Sequence, residues 1–106
     1  MRCEVIFSKE AEEDLLDIYK FIAINDSFEN AETLFENLMN ICLSLKEFPN
    51  RGHKLPEFYD FVTEYIEIIY KPYRIVYKIK KGVVKVMGIL DGRRNIKEIL
   101  KDRLLK

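Results

Sequence analysis

The residues of this chain whose types and spacing suggest chemistry are three arginines. Arg74 stands near the start of an alternating run, Tyr73 to Lys80, and Arg93-Arg94 follow a second run, Val83 to Leu90, through Asp91-Gly92. Strands joined by a short turn such as Lys81-Gly82 run antiparallel, so the start of one lies beside the end of the next. Arg74, Arg93 and Arg94 are therefore expected to meet at one edge of a sheet. Gathered like charges repel and rarely help a fold. Guanidinium forks do match phosphate and carboxylate in shape and charge, and the edge reads as an anion grip. Lys71 and Lys78 flank it, and Lys80, Lys81 and Lys85 surround the turn, keeping it soluble or extending a basic surface. A structural alternative stands beside this one: Arg74 pairs with Glu67 on the preceding strand, or with Asp91 near the arginine pair.

Other chemistry is sparse. His53 is the only histidine and the only side chain with an ordinary pKa near neutrality. It reads as a hydrogen-bonded or solvated loop residue beside Arg51 and Gly52, or as an acid or base reaching the sheet edge. No His, Cys and carboxylate cluster has metal spacing, and no phosphate-binding glycine loop or nucleophile elbow is present, so neither metal nor cofactor is expected. Tyr70, Tyr73 and Tyr77 could stack on bases. Alternation, however, puts Tyr73 and Tyr77 on one face with Ile75 and Ile79, as core residues with polar tips. Cys3 and Cys42 lack CxxC spacing and read as buried, reduced thiols.

A length of 106 residues, nearly half of them hydrophobic, suits one domain over 1–106 with its own core. No apolar run approaches the roughly 20 residues of a membrane span, and the start lacks a signal-peptide pattern, so a cytoplasmic protein without membrane contact is expected. The net charge of zero hides an asymmetry. Residues 1–50 carry 4 basic and 11 acidic side chains, a balance of −7; residues 51–106 carry 14 and 7, a balance of +7. The basic half suits a nucleic acid or an acidic protein.

The elements that must position the arginines follow from periodicity. Arg2 to Phe7 reads as a strand. Ser8 caps a helix with acidic first turns (Glu10, Glu12, Glu13, Asp14, then Asp17), most simply a solvated face, and with an apolar stripe of Ala11, Leu15, Ile18, Tyr19 and Ile22. Asn25-Asp26-Ser27 breaks it, and Asp26 with Glu29 or Ser27 with Asn30 caps the next. That helix carries Ala31, Leu34, Phe35, Leu38, Ile41, Cys42 and Leu45 and ends at Phe48-Pro49, giving an antiparallel helical hairpin. Pro49 to Phe61 is an irregular link. Val62 to Tyr70, Tyr73 to Lys80 and Val83 to Leu90 are strands, with Gly88 marking a bulge or close approach. Asn95 to Leu105 is a short helix whose narrow stripe predicts weak attachment. The fold class is α+β in the order β-α-α-β-β-β-α, a helical hairpin packed on an antiparallel sheet.

These segments resemble the RelE/ParE superfamily of bacterial and archaeal toxins. The resemblance is carried by the opening strand with Ser8-Lys9-Glu10-Ala11-Glu12-Glu13-Asp14-Leu15, by Phe48-Pro49-Asn50-Arg51-Gly52-His53, by Pro72-Tyr73-Arg74-Ile75-Val76-Tyr77, and by Ile89-Leu90-Asp91-Gly92-Arg93-Arg94. It implies the toxin of a type II toxin–antitoxin pair, held in a heteromeric complex by a cognate antitoxin that lays carboxylates across Arg74, Arg93, Arg94, Lys71 and Lys78 and an apolar face beside the helical hairpin. ParE-like members inhibit DNA gyrase; RelE-like members cleave messenger RNA in the ribosome. RNA cleavage through the 2′-hydroxyl needs a base, an acid and a cationic clamp. Arg74 and Arg94 match the superfamily's clamp positions. Where RelE-like members place basic residues on the preceding strand, this chain has Tyr65 and Glu67, and six residues after Arg94 it has Leu100 instead of tyrosine. If the chain is a nuclease, His53 or Glu67 is its acid–base candidate. The pattern favours a ParE-like binder of gyrase; an mRNA endonuclease and a non-toxic interaction module are the alternatives.

Overall fold

The computed structural model describes residues 3–59 and 64–104. Its elements are β1 (Glu4–Phe7), α1 (Lys9–Asn25), α2 (Phe28–Ser44), β2 (His53–Lys54), a 3₁₀ turn (Pro56–Phe58), β3 (Ile66–Tyr70), β4 (Tyr73–Lys80), β5 (Val83–Asp91) and α3 (Ile96–Leu104). Caps set the helix starts. The Ser8 hydroxyl accepts from the Ala11 amide at 3.0 Å, and that of Ser27 from the Asn30 amide at 3.0 Å, each satisfying an amide that a first helical turn leaves open. At α3 the Glu98 amide donates to Asn95 Oδ1 at 3.3 Å. Of the strand expected from Val62, residues 62 and 63 lie outside the described residues.

The sheet has five strands in the order β1-β5-β4-β3-β2. The hairpins β3–β4 and β4–β5 are antiparallel as expected, but β1 joins β5 in parallel, from Glu4 opposite Val83 to Phe7 opposite Val86. The sheet is therefore mixed, because α1 and α2 carry the chain away from β1 before the other strands form. The link after α2, read as irregular, supplies β2, which pairs with β3 through His53–Glu67 and Lys54–Ile66.

Both faces are covered. On one, the α1–α2 hairpin packs Leu15, Leu38, Cys42 and Leu45 against Tyr73, Ile75, Tyr77, Val84, Val86 and Ile89, so Tyr73 and Tyr77 are core residues as alternation predicts. On the other, Leu55 and Phe58 of the link and Ile96 and Leu100 of α3 pack against Val76, Met87 and Leu90. Each such buried side chain contributes about 1.5–3 kcal/mol. Cys42 is buried, which pushes its thiol up to about 12, and both cysteines are free.

A bulge reconciles the faces. Val76 lies opposite Gly88 and Tyr77 opposite Val86, leaving Met87 unmatched, and Met87 and Gly88 fall on the α3 face. Beyond the end of β1, helices close the edge of β5. Asp14 Oδ2 accepts from the Ile89 amide at 3.0 Å, and the Met87 carbonyl accepts from Arg103 Nη1 at 3.0 Å. Arg103 also donates to both Asp14 oxygens, at 2.7 and 2.9 Å. Two sequence expectations are corrected here. Asp14 is buried and does not belong to a solvated acidic face. The last helix is anchored by Ile96, Leu100 and Arg103 more firmly than its narrow stripe suggests. Gly88 is what lets Arg103 in, since a Cβ there would lie 2.6 Å from its Nη1.

Candidate functional site

The arginine edge forms in the backbone but not among the side chains. Tyr73 lies opposite Asp91 and Arg74 opposite Leu90, the Gly92 amide donates to the Pro72 carbonyl at 2.7 Å, and the Lys71–Pro72 bond that turns the chain is cis. Each guanidinium then goes its own way. Arg93, on the exposed turn, doubles back on Asp91, with Nε at 2.9 Å and Nη2 at 2.6 Å from the carboxylate oxygens. These bonds hold the Asp91 carboxyl down to about 2. Arg94 is exposed and lines a polar groove with Glu10, Glu13 and Asp17 of α1 and Asp102 of α3. Its side chain makes no salt bridge among the described residues, though its charge acts on Asp91.

Arg74 turns onto the α3 face, 13% exposed, between two carboxylates. Its Nε donates to Glu67 Oε1 at 2.5 Å, and Nη1 and Nη2 donate to the two oxygens of Glu57 at 2.6 Å each. The fork-to-fork contact with Glu57 has the bidentate geometry of the strongest ion pairs. It lowers the Glu57 carboxyl and, with Glu67, raises Arg74. His53 completes the chain, its Nε2 3.0 Å from Glu67 Oε2; an ionised carboxylate only accepts, so Nε2 carries the proton in this pair. Of the two partners weighed for Arg74 from sequence, Glu67 is present and Asp91 is not.

Tyr77 holds this arrangement from below. Its hydroxyl accepts from the Gly52 amide at 3.0 Å and donates to the Pro49 carbonyl at 2.8 Å. The link is thereby tied to β4, placing β2 and the 3₁₀ turn so that His53 and Glu57 reach Glu67 and Arg74. Gly52 has no room for a side chain: a Cβ would lie 2.5 Å from Ile66 Cγ2 and 2.6 Å from the Tyr77 oxygen.

Chemically, the cluster is a closed circuit. Glu67 is 1% exposed with both oxygens occupied, and three of the five Arg74 N–H groups are engaged. The one guanidinium faces two carboxylates, an arrangement that does not attract phosphate. His53 is the most exposed member, its side chain 54% exposed against 28% for Glu57. Tyr65 is buried in the cluster to which α3 contributes Leu100. Lys71 is exposed at the β3–β4 turn, and Lys78 stands four residues along β4 from Arg74, about 13 Å away at strand rise. Glu57 and the Asp14–Arg103 pair were not found from sequence: they meet partners 17 and 89 positions away, and only the crossing of the link and the docking of α3 bring them there. Among the described residues no group of three or more His, Cys, Asp or Glu is arranged to hold a metal ion, and no helix is long and apolar enough to cross a membrane.

Residues 5–96 match the family described as the ParE toxin of type II toxin–antitoxin systems, parDE. The chain belongs to that family. The ParE toxin fold is also found in solved structures. The chromosomal ParDE system of P. aeruginosa superposes with a TM-score of 0.72 at 16% identity, covering 85% of this chain and 96% of the other. The RelBE2 toxin–antitoxin complex of Mycobacterium tuberculosis gives 0.63 at 15% identity, covering 86% and 99%. The YoeB dimer of Staphylococcus aureus gives 0.52 at 20% identity, covering 84% and 95%. At these identities the likeness is one of fold. No curated protein matches significantly in sequence.

Proposed function

We propose that this ParE-family toxin arrests growth by binding DNA gyrase rather than by cutting RNA, and that a cognate antitoxin neutralises it. The observation that carries the reading is Glu67, which lies where RelE-like toxins place basic residues. It is buried, both oxygens are bonded, and it holds Arg74 away from any phosphate. General base and clamp are thus committed to each other, which leaves little equipment for 2′-hydroxyl attack. The decisive measurement is gyrase supercoiling of relaxed plasmid: inhibition by the purified toxin, relieved by antitoxin, is expected. Undiminished supercoiling at saturating toxin would sink the proposal.

One observation favours the rival mRNA endonuclease. His53 is half exposed and oriented by a carboxylate, as a proton-transfer imidazole would be. That reading predicts new 5′ ends within codons after induction, lost in His53→Gln. Arg74→Ala is a poor probe, because it strands two carboxylates and damages the fold.

For the antitoxin, the structure offers an open groove of about 750 Å³ between β1 and the helical hairpin, lined by Phe7, Leu15, Leu16, Phe35 and Met39 with Glu12 and Glu32 among its polar residues. An apolar antitoxin segment suits it. Of the cations expected to receive the antitoxin's carboxylates, Arg94, Lys71 and Lys78 are open, whereas Arg74 and Arg93 accept one only by releasing a bound one.

A further inference from the structure

At the far end of the β4–β5 hairpin, Lys78, Lys80, Lys81 and Lys85 have no carboxylate partner among the described residues, in contrast to Arg74, Arg93 and Arg103. Lys78 and Lys85 are direct cross-strand partners, so two ammonium stems rise side by side on one face, a pairing that costs stability. Alternation puts Lys80 on the same face as Lys78, about 7 Å further along the strand. Lys81 occupies the turn with φ +52°, followed by Gly82 at φ +76°, a position where asparagine or glycine is the low-cost choice. Two local preferences for stability are therefore set aside at one turn, and in both cases the residue kept is a lysine.

The surroundings narrow the partner. The large exposed hydrophobics lie on β1, the helices, the link and β3, and none on β4 or β5. A protein partner would be expected to find an apolar anchor beside the charges. A row of flexible point charges without one suits a ligand recognised by regular negative charge alone. We propose that the lysine end of the β4–β5 hairpin is a contact surface for the phosphate backbone of a nucleic acid, bound without regard to base sequence. Lys78 and Lys80 are spaced to meet successive phosphates, and Lys81 and Lys85 widen the contact to the neighbouring strand. Because the whole chain has zero net charge, any such affinity must come from a local patch. The proposal does not rest on the gyrase reading: it concerns the other end of the hairpin and a different ligand.

The test is fluorescence anisotropy of a labelled mixed-sequence DNA duplex titrated with the full chain over a salt series, with a single-stranded RNA arm in parallel. Saturable binding is expected at low salt, with log K falling against log salt at a slope of about −3, for three or four phosphate contacts at about 0.9 each. Replacing all four lysines (K78Q/K80Q/K81Q/K85Q) should weaken binding at least about tenfold and flatten the slope. The single changes Lys80→Gln and Lys85→Gln should each reduce it by about 1, which keeps the test open if the quadruple variant folds poorly. Substituting Lys9 and Lys20 of α1 should alter neither quantity. Absence of saturable binding to either nucleic acid, equal binding by the lysine variants, or tighter binding to a poly-glutamate peptide than to duplex would each overturn the proposal, the last by assigning the surface to an acidic protein.

Discussion

The two ends of the β4–β5 hairpin carry cations in opposite states. At the Tyr73/Asp91 end every arginine but Arg94 is matched to a carboxylate, Arg74 to Glu57 and Glu67 and Arg93 to Asp91. At the Lys80/Val83 end four lysines, two exposed and two half-buried, have no carboxylate match among the described residues. Arginines at the first end are parts of the structure, giving fixed geometry and little outward field. Lysines at the second give an outward field and no fixed geometry. A run of basic residues in a sequence therefore says little about anion binding until their partners are known.

The contrast breaks most visibly at Arg74. Arg74→Met should cost about 3–5 kcal/mol, since it leaves Glu57 and Glu67 facing each other unneutralised, and thermal unfolding followed by circular dichroism should show a drop of many degrees. Adding Glu57→Gln and Glu67→Gln should restore part of it. If Arg74→Met melts like the parent yet loses antitoxin or target binding, Arg74 is a functional cation and the contrast collapses. Asp14→Asn tests a further matched arginine, Arg103: a loss of about 3 kcal/mol is expected, with faster amide exchange at Ile89 and through α3.

How far this could be read beforehand depends on the kind of information involved. Periodicity and caps gave the helix start at Ser8, that at Ser27 as one of two alternatives, the strand Tyr73–Lys80 and the core placement of Tyr73 and Tyr77, all local or alternating signals. The parallel seat of β1, strand β2, and the roles of Glu57, Asp14 and Arg103 were not legible. Each depends on where a distant segment crosses the sheet, and a charged side chain looks the same in sequence whether it ends in solvent or against a buried partner.

Smaller effects sharpen the contrast. Gly52→Ala should destabilise by about 1–3 kcal/mol through overpacking against Tyr77 and Ile66, loosening the link that carries His53 and Glu57. Acid should act on the arginine end: Glu57 is lowered from its ordinary 4.5 by Arg74, so its contribution is complete above that value and is lost as pH falls below it toward the folded-state value. The parent should therefore lose stability more steeply than Glu57→Gln below about pH 4.5. At the lysine end the sign reverses. Lys81→Asn should raise stability by up to about 1 kcal/mol by relieving the left-handed backbone, measured as a higher denaturant midpoint.

The parallel seat of β1 beside β5 has a consequence for how the toxin comes into being. The first strand of this sheet pairs with the last of its strands to be made, Glu4 with Val83 and Phe7 with Val86. Such long-range pairing is the slow kind in folding. A nascent chain can build its helical hairpin early, but it cannot seat β1 or close the edge of β5 until β5 itself has been made. A message cut short before β5 yields a fragment without the completed sheet, so the fold itself ties the toxin's appearance to translation through β5.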